Sequence, residues 1–145
     1  MDDLLKKLQG VQNYLQGDVK KDIGVQAVNF YKKSFRDEGF TDKKLEKWKD
    51  VKRRLDKNVK GAASKRKILT GTTKQLADGI DYSITTHGVS ISTDVPYAQI
   101  HNEGGNAGRN GSAKIPKRQF IGQSDSLNKI VITEIEGEIT RMMND

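Results

Sequence analysis

The sequence predicts an α+β fold, with N-terminal and C-terminal helices packed on a small antiparallel sheet that has a central hairpin and a flexible Gly-rich loop. Three observations carry this expectation. Apolar residues recur at helical spacing at both ends of the chain, they alternate with polar residues between Ile80 and Val95, and glycines crowd the stretch 104–114. Helices at the ends with strands between them favour helices on one face of an antiparallel sheet over a βαβ arrangement.

At the N-terminal end, Leu4, Leu5, Leu8, Val11 and Leu15 share one face of about four helical turns, with Asp2 and Asp3 near the positive end of the helix dipole. Gln16-Gly17-Asp18 interrupts the pattern. Asp18 is then a candidate N-cap for a second helix that turns Val19, Ile23, Ala27, Phe30 and Tyr31 inward and stops near Gly39. From Phe40 to Lys67 apolar residues thin out, yet Trp48, Val51, Leu55 and Val59 keep helical spacing, which suggests a short basic helix or an ordered loop. Trp48, the only tryptophan, reads as a packing anchor because its large ring gains most from burial.

A threonine of the Thr72-Thr73 pair is a candidate cap for a short helical turn that Gly79 ends. Ile80, Tyr82 and Ile84 then alternate with Asp81, Ser83 and Thr85, and Val89, Ile91, Thr93 and Val95 alternate with Ser90, Ser92 and Asp94. His87-Gly88 between them has the length of a two-residue hairpin loop, with Gly88 free to take positive φ. Pairing Thr86 with Val89 sets Ile84 opposite Ile91, Tyr82 opposite Thr93 and Ile80 opposite Val95, so the apolar residues share one face. After Pro96, Tyr97 to His101 form a brief helical turn before the flexible loop 104–114, and Ile115-Pro116 re-enters structure as an extended strand. Ser124 or Asp125 caps a last helix with Leu127, Ile130, Val131, Ile135, Ile139 and Met142 on one face and Glu134, Glu136 and Glu138 turned away.

At 145 residues the chain fits one domain, 1–145, with a single core. The absence of cysteine excludes disulfides, thiolate metal sites and cysteine nucleophiles. No apolar run approaches the roughly 20 residues that cross a bilayer, and the N-terminus carries no leader pattern, so no membrane association and a cytosolic location are expected. The basic segment 41–67 holds twelve basic residues against four acids, a local excess that accounts for the whole net charge of +7. Such a block favours sequence-independent contact with nucleic acid or acidic surfaces. Lys52, Arg53 and Arg54 are the candidate nucleic-acid contacts.

Templates for catalysis do not fit. His101-Asn102-Glu103 sets an acid/base group beside a carboxylate, which raises a metal-dependent nuclease centred on His101 as one alternative. Neighbours in sequence do not converge on one point, however, and further ligands are missing. Gly105 and Gly111 lack the spacing of a phosphate-binding loop, and Ser112-Ala113 stands where Lys-Ser/Thr is required. No catalytic residue, metal site or cofactor is expected, and DNA contact through segment 41–67 is the other alternative.

The region from Leu69 to Asp125 resembles the phage virion morphogenesis family, the Mu-like tail-completion proteins. The resemblance rests on Leu69-Thr70-Gly71 with Leu76, on Tyr97-Ala98-Gln99-Ile100-His101-Asn102-Glu103-Gly104-Gly105, and on Ile115-Pro116-Lys117-Arg118-Gln119-Phe120-Ile121-Gly122-Gln123-Ser124, in that order around a Gly-rich insertion. It implies a non-enzymatic structural protein of a phage or prophage that acts in tail completion or head–tail joining. Its partners would be other tail or neck proteins and copies of itself, as a homo-oligomer or ring, first in the bacterial host cytoplasm and then in the virion tail or neck. Tyr97, His101, Arg118 and Phe120 are the resulting interface or loop-anchoring candidates: Arg118 because a guanidinium holds several acceptors at once, Phe120 as an apolar anchor, Tyr97 and His101 as hydrogen-bonding pins of the loop base.

Overall fold

The computed structural model describes residues 1–71 and 73–145. Two helices open it, α1 (Asp2–Gln16) and α2 (Asp18–Asp37), separated at Gly17, whose φ of −135° and ψ of −83° break the helical path. Gly17, rather than Asp18, occupies the cap position of α2, and Asp18 is its first residue. The far end of α2 also differs from expectation. Glu38, not Gly39, takes the left-handed conformation that closes the helix, at φ 52° and ψ 47°. A non-glycine residue there is held by its surroundings: its carboxylate accepts from Arg54 Nη2 at 2.6 Å and from the Ile68 N–H at 3.0 Å, and its carbonyl accepts from the Trp48 N–H at 2.7 Å.

The segment after α2 is not one basic helix. It forms a hairpin of β1 (Gly39–Thr41) and β2 (Leu45–Lys47), then two single-turn helices, α3 (Lys52–Leu55) and α4 (Ala62–Lys65). The short helix α5 (Gln75–Asp78) has Lys74 at its N-cap in left-handed conformation, not a threonine; Gly79 ends it as expected, and Thr72 lies outside the described residues.

The central hairpin pairs β3 (Ile80–Ile84) with β4 (Val89–Thr93), but the register is Ile84 with Val89, Tyr82 with Ile91 and Ile80 with Thr93. The Thr85 N–H donates to the Gly88 carbonyl at 2.9 Å, so the tight loop is Thr86-His87, and Gly88 does not adopt positive φ. A slip of two residues keeps every side chain on its face, which is why the alternation pattern could not detect it. Helix α6 (Ala98–Glu103) follows. The stretch expected to be a flexible loop instead forms an arm: β5 (Gly105–Ala107) and β6 (Ala113–Ile115) pair around a 3₁₀ turn at Arg109–Gly111. Helix α7 (Asp125–Asn144) closes the chain, capped by Ser124, whose Oγ accepts from the Leu127 N–H at 3.1 Å.

Among the described residues the strands therefore form three separate two-stranded sheets, and the helices do not share one sheet as a platform. The centre is α2. It packs against the β3–β4 hairpin and also against α1 and α7, so α7 rests on helices and not on the sheet face expected for it. The core joins Ala27, Val28, Tyr31 and Phe35 of α2 to Phe40, Trp48, Ile68, Leu76, Ile80, Val95, Phe120 and Leu127. Two amphipathic faces are arranged otherwise than expected. On α1 only Tyr14 is buried, while Leu4, Leu5, Leu8 and Leu15 of the apolar stripe remain exposed. On α7 Ile130 is exposed, while Glu134 and Glu138 are half-buried beside Tyr14, whose hydroxyl is raised above its ordinary range by burial and by Asp22.

Gly24 explains how the hairpin approaches α2. A Cβ at that position would overlap the Tyr82 ring, so the helix carries a residue of low helical propensity where that ring packs directly on it. Gly24→Ala is expected to lower unfolding stability by about 1–3 kcal/mol in urea titrations, although helical propensity alone would raise it by up to ~1 kcal/mol.

Candidate functional site

The four candidate residues lie on the two segments that flank the root of the arm, Tyr97 and His101 on one side and Arg118 and Phe120 on the other. Tyr97 precedes α6 and His101 lies within it, their rings meeting edge to face at 6.0 Å. Across the arm, Arg118 and Phe120 sit on an extended segment, 117–123, that belongs to no strand of the described structure. The His101 carbonyl accepts from the Arg118 N–H at 2.8 Å, which ties the two sides of the root. Gly104 makes this closure sterically feasible: it adopts φ +77°, and a Cβ there would stand 2.9 Å from the Lys117 nitrogen.

Segment 117–123 crosses the core without a strand partner, so its backbone groups need others. Side chains supply them. Asn102 Oδ1 accepts from both the Phe120 and Ile121 N–H groups, at 2.8 and 3.0 Å. Trp48 Nε1 donates to the Gln119 carbonyl at 2.8 Å, Tyr31 hydroxyl to the Gly122 carbonyl at 2.8 Å, and Ser34 hydroxyl to the Phe120 carbonyl at 3.5 Å. Phe120 is only 1% exposed and packs on Phe35 with ring centroids 5.1 Å apart, an apolar anchor in the plain sense. Asn102 is the residue that sequence reasoning missed. Its amide oxygen has two lone pairs, but the N–H groups it serves lie 18 and 19 residues away, beyond any local pattern.

Arg118 is 8% exposed and its guanidinium holds two carbonyls, Lys49 through Nε at 2.9 Å and Asp50 through Nη2 at 3.0 Å. Among the described residues it joins no ion pair. Tyr97 bonds not to the loop but to Gln75 Oε1, at 3.2 Å. His101 Nδ1 is buried without a hydrogen-bond partner, so the expected side-chain pin is absent and the residue holds the root through its backbone. Burial, then the Arg118 charge, push the His101 pKa below its ordinary value, so the ring is neutral near pH 7. The same positive charge opposes a metal cation at His101, and among the described residues no group of three or more potential ligands converges anywhere.

The basic segment has a structural use for two of its three candidate nucleic-acid contacts. Arg53 donates to the carbonyls of Ala63, Arg66 and Lys67, and Arg54 to Glu38, Asp50 and the Arg66 carbonyl. Burial alone would raise the Glu38 pKa, but the Ile68 N–H, Arg54 and Lys67 outweigh it and hold the carboxyl below its ordinary range. Lys52 alone of the three points to solvent.

The sequence model described as the phage virion morphogenesis family matches residues 2–140, nearly the whole chain. No curated protein and no solved structure matches it.

Two outcomes follow from this geometry. Asn102→Leu strands two N–H groups in the core and is expected to lower stability by roughly 2–4 kcal/mol in denaturant titrations, whereas Asn102→Asp, which keeps the acceptor, loses much less. For His101, the depressed folded pKa means that its contribution is complete above the unfolded value, about 6.5, and is lost as pH falls through the folded value. Urea midpoints measured across that range should decline with acid in the parent chain and decline less in His101→Gln.

Proposed function

The chain belongs to the phage virion morphogenesis family, and on that footing we propose that it is a single-domain structural subunit, without catalytic activity, that completes the phage tail or joins it to the head. The observation that carries the finer reading is the unfinished burial of α1. Leu4, Leu8, Val11 and Leu15 follow the three- and four-residue spacing of a helix-packing seam, yet Leu4, Leu8 and Leu15 are each nearly half exposed. A helix of this kind is completed by a neighbour, and repeated copies on a symmetric tail supply one as a homo-oligomer or ring. The mostly exposed arm hairpin adds a second surface that one subunit can offer to the next. No described helix is long and apolar enough to cross a membrane. Assembly in the host cytoplasm followed by residence in the tail or neck fits the family.

The DNA-binding alternative keeps the net charge of segment 41–67 in its favour but draws little from its arginines, which are engaged within the chain. The nuclease alternative draws nothing from the neutral, partnerless ring of His101 beside a guanidinium.

Leu4→Glu combined with Leu8→Glu is expected to convert an oligomer to monomer in light scattering and sedimentation without loss of helical circular dichroism. In a phage lacking the wild-type copy it should reduce the yield of joined, infectious particles. An unchanged oligomer, or a parent chain that is monomeric and dispensable for infectivity, overturns the reading.

A further inference from the structure

A cleft of about 460 Å³ opens between the segment that precedes α3 and the outgoing strand of the arm. Lys49 and Lys52 rim it on one side and Lys114 of β6 on the other, all three exposed. Val51, Pro116 and the largely buried Arg118 also line it. Arg118 is the informative member. A largely buried guanidinium is normally paired directly with a carboxylate, because an uncompensated charge withdrawn from water is costly. Here its hydrogen bonds go to the carbonyls of Lys49 and Asp50, and the Asp50 carboxylate attracts it only without contact, against burial and the repulsion of Arg53. The nearby Asp50 carboxylate is turned away, with Oδ1 accepting from Arg54 Nη1 at 3.3 Å and from the Val51 N–H at 2.8 Å. Among the described residues the chain therefore builds a cationic recess, walled in part by Val51 and Pro116, in which Arg118 has no carboxylate in direct contact.

We propose that this cleft is the docking seat for an acidic segment of a partner protein in the assembling particle, one carboxylate entering to pair with Arg118 while Lys49, Lys52 and Lys114 engage its neighbours. The identity of the partner class rests on the assembly reading; the anion-seating chemistry rests on the cleft alone. A carboxylate fits better than a nucleic-acid backbone for two reasons. The cleft joins the Arg118 guanidinium to the apolar side chains of Val51 and Pro116, a combination that suits an Asp or Glu side chain with its charged end on Arg118 and its methylenes against the wall. The Asp50 carboxylate, half exposed in the cleft lining, repels any anion, but a peptide can leave apolar or uncharged residues opposite it whereas a nucleic-acid strand brings a charge at every phosphate. Because Lys114 belongs to the arm and Lys49 and Lys52 to the body, an occupant also ties the arm to the body.

The test is a fluorescence-anisotropy titration of the full chain against a fluorescein-labelled peptide of alternating glutamate and glycine at low salt. Saturable binding is expected. Reversing the rim with Lys49→Glu, Lys52→Glu and Lys114→Glu should weaken it roughly tenfold or more. The same charge change placed elsewhere in the basic segment, Lys44→Glu, Lys57→Glu and Lys60→Glu, should alter it by less than about twofold. Arg118→Lys, which keeps charge but loses the planar fork, should weaken it as well; if that variant does not fold, the rim variants decide. No binding, or equal weakening by both triple variants, overturns the proposal in favour of diffuse attraction. Tighter competition by single-stranded oligothymidylate, with the same dependence on the rim, overturns it in favour of a phosphate seat. Dependence on a second copy of the chain, read as rim-sensitive self-association that the peptide displaces, reassigns the seat to the oligomer and overturns the partner. Both triple variants are then tested for particle assembly: normal infectious particles from the rim variant overturn the partner while leaving the family-level assembly role intact.

Discussion

The structure depends on one constraint, the backbone demand of an extended segment carried through the core with no strand beside it. Residues 117–123 expose a peptide ladder that a sheet would normally satisfy. Here α2 gives Tyr31 and Ser34, the stretch after β2 gives Trp48, and α6 gives Asn102, each bonded to a backbone group of that segment. Phe120 then fills the space these side chains enclose. Because the bonds come from three different parts of the chain, the placement of the segment depends on α2, Trp48 and α6 together. This couples the arm root to the core and fixes where the arm leaves the body.

A second constraint arranges the basic segment. Glu38 ends α2 in a conformation costly for a residue with a side chain, and its carboxylate collects Arg54, Lys67 and the Ile68 N–H. Arg53 meanwhile gathers carbonyls from the turn of α4 and beyond. Charge that reads in the sequence as a solvated surface is in part internal scaffolding for a stretch poor in apolar residues. The hydrogen-bonding capacity of arginine replaces a hydrophobic core there.

Burial is uneven in a way that suits a component of a larger assembly. Around α2 the packing is dense, with Phe120, Ile68 and Ile80 almost completely enclosed. The stripe of α1 and the arm hairpin are largely open, and the arm contributes nothing of size to the core. An apolar helix face left uncovered and a hairpin left mostly exposed are the two elements on which the proposed contacts with neighbours would draw.

The sequence by itself determined the helices at both ends, the central hairpin with its apolar face, the Ser124 cap and the family resemblance. All of these rest on local periodicity, capping chemistry or fixed spacing, which neighbours along the chain dictate. Tertiary structure decided the rest. The hairpin register moved by two residues because alternation is blind to that slip, and Gly24 received its meaning only from the Tyr82 ring packed over it. Glu38 displaced Gly39 at the helix end because distant cations and an N–H hold it. Arg53 and Arg54 turned inward, and Asn102 became the acceptor for a segment some 18 residues away, because those partners meet only after folding. The sequence specifies which groups need partners; the fold alone determines which partners they find.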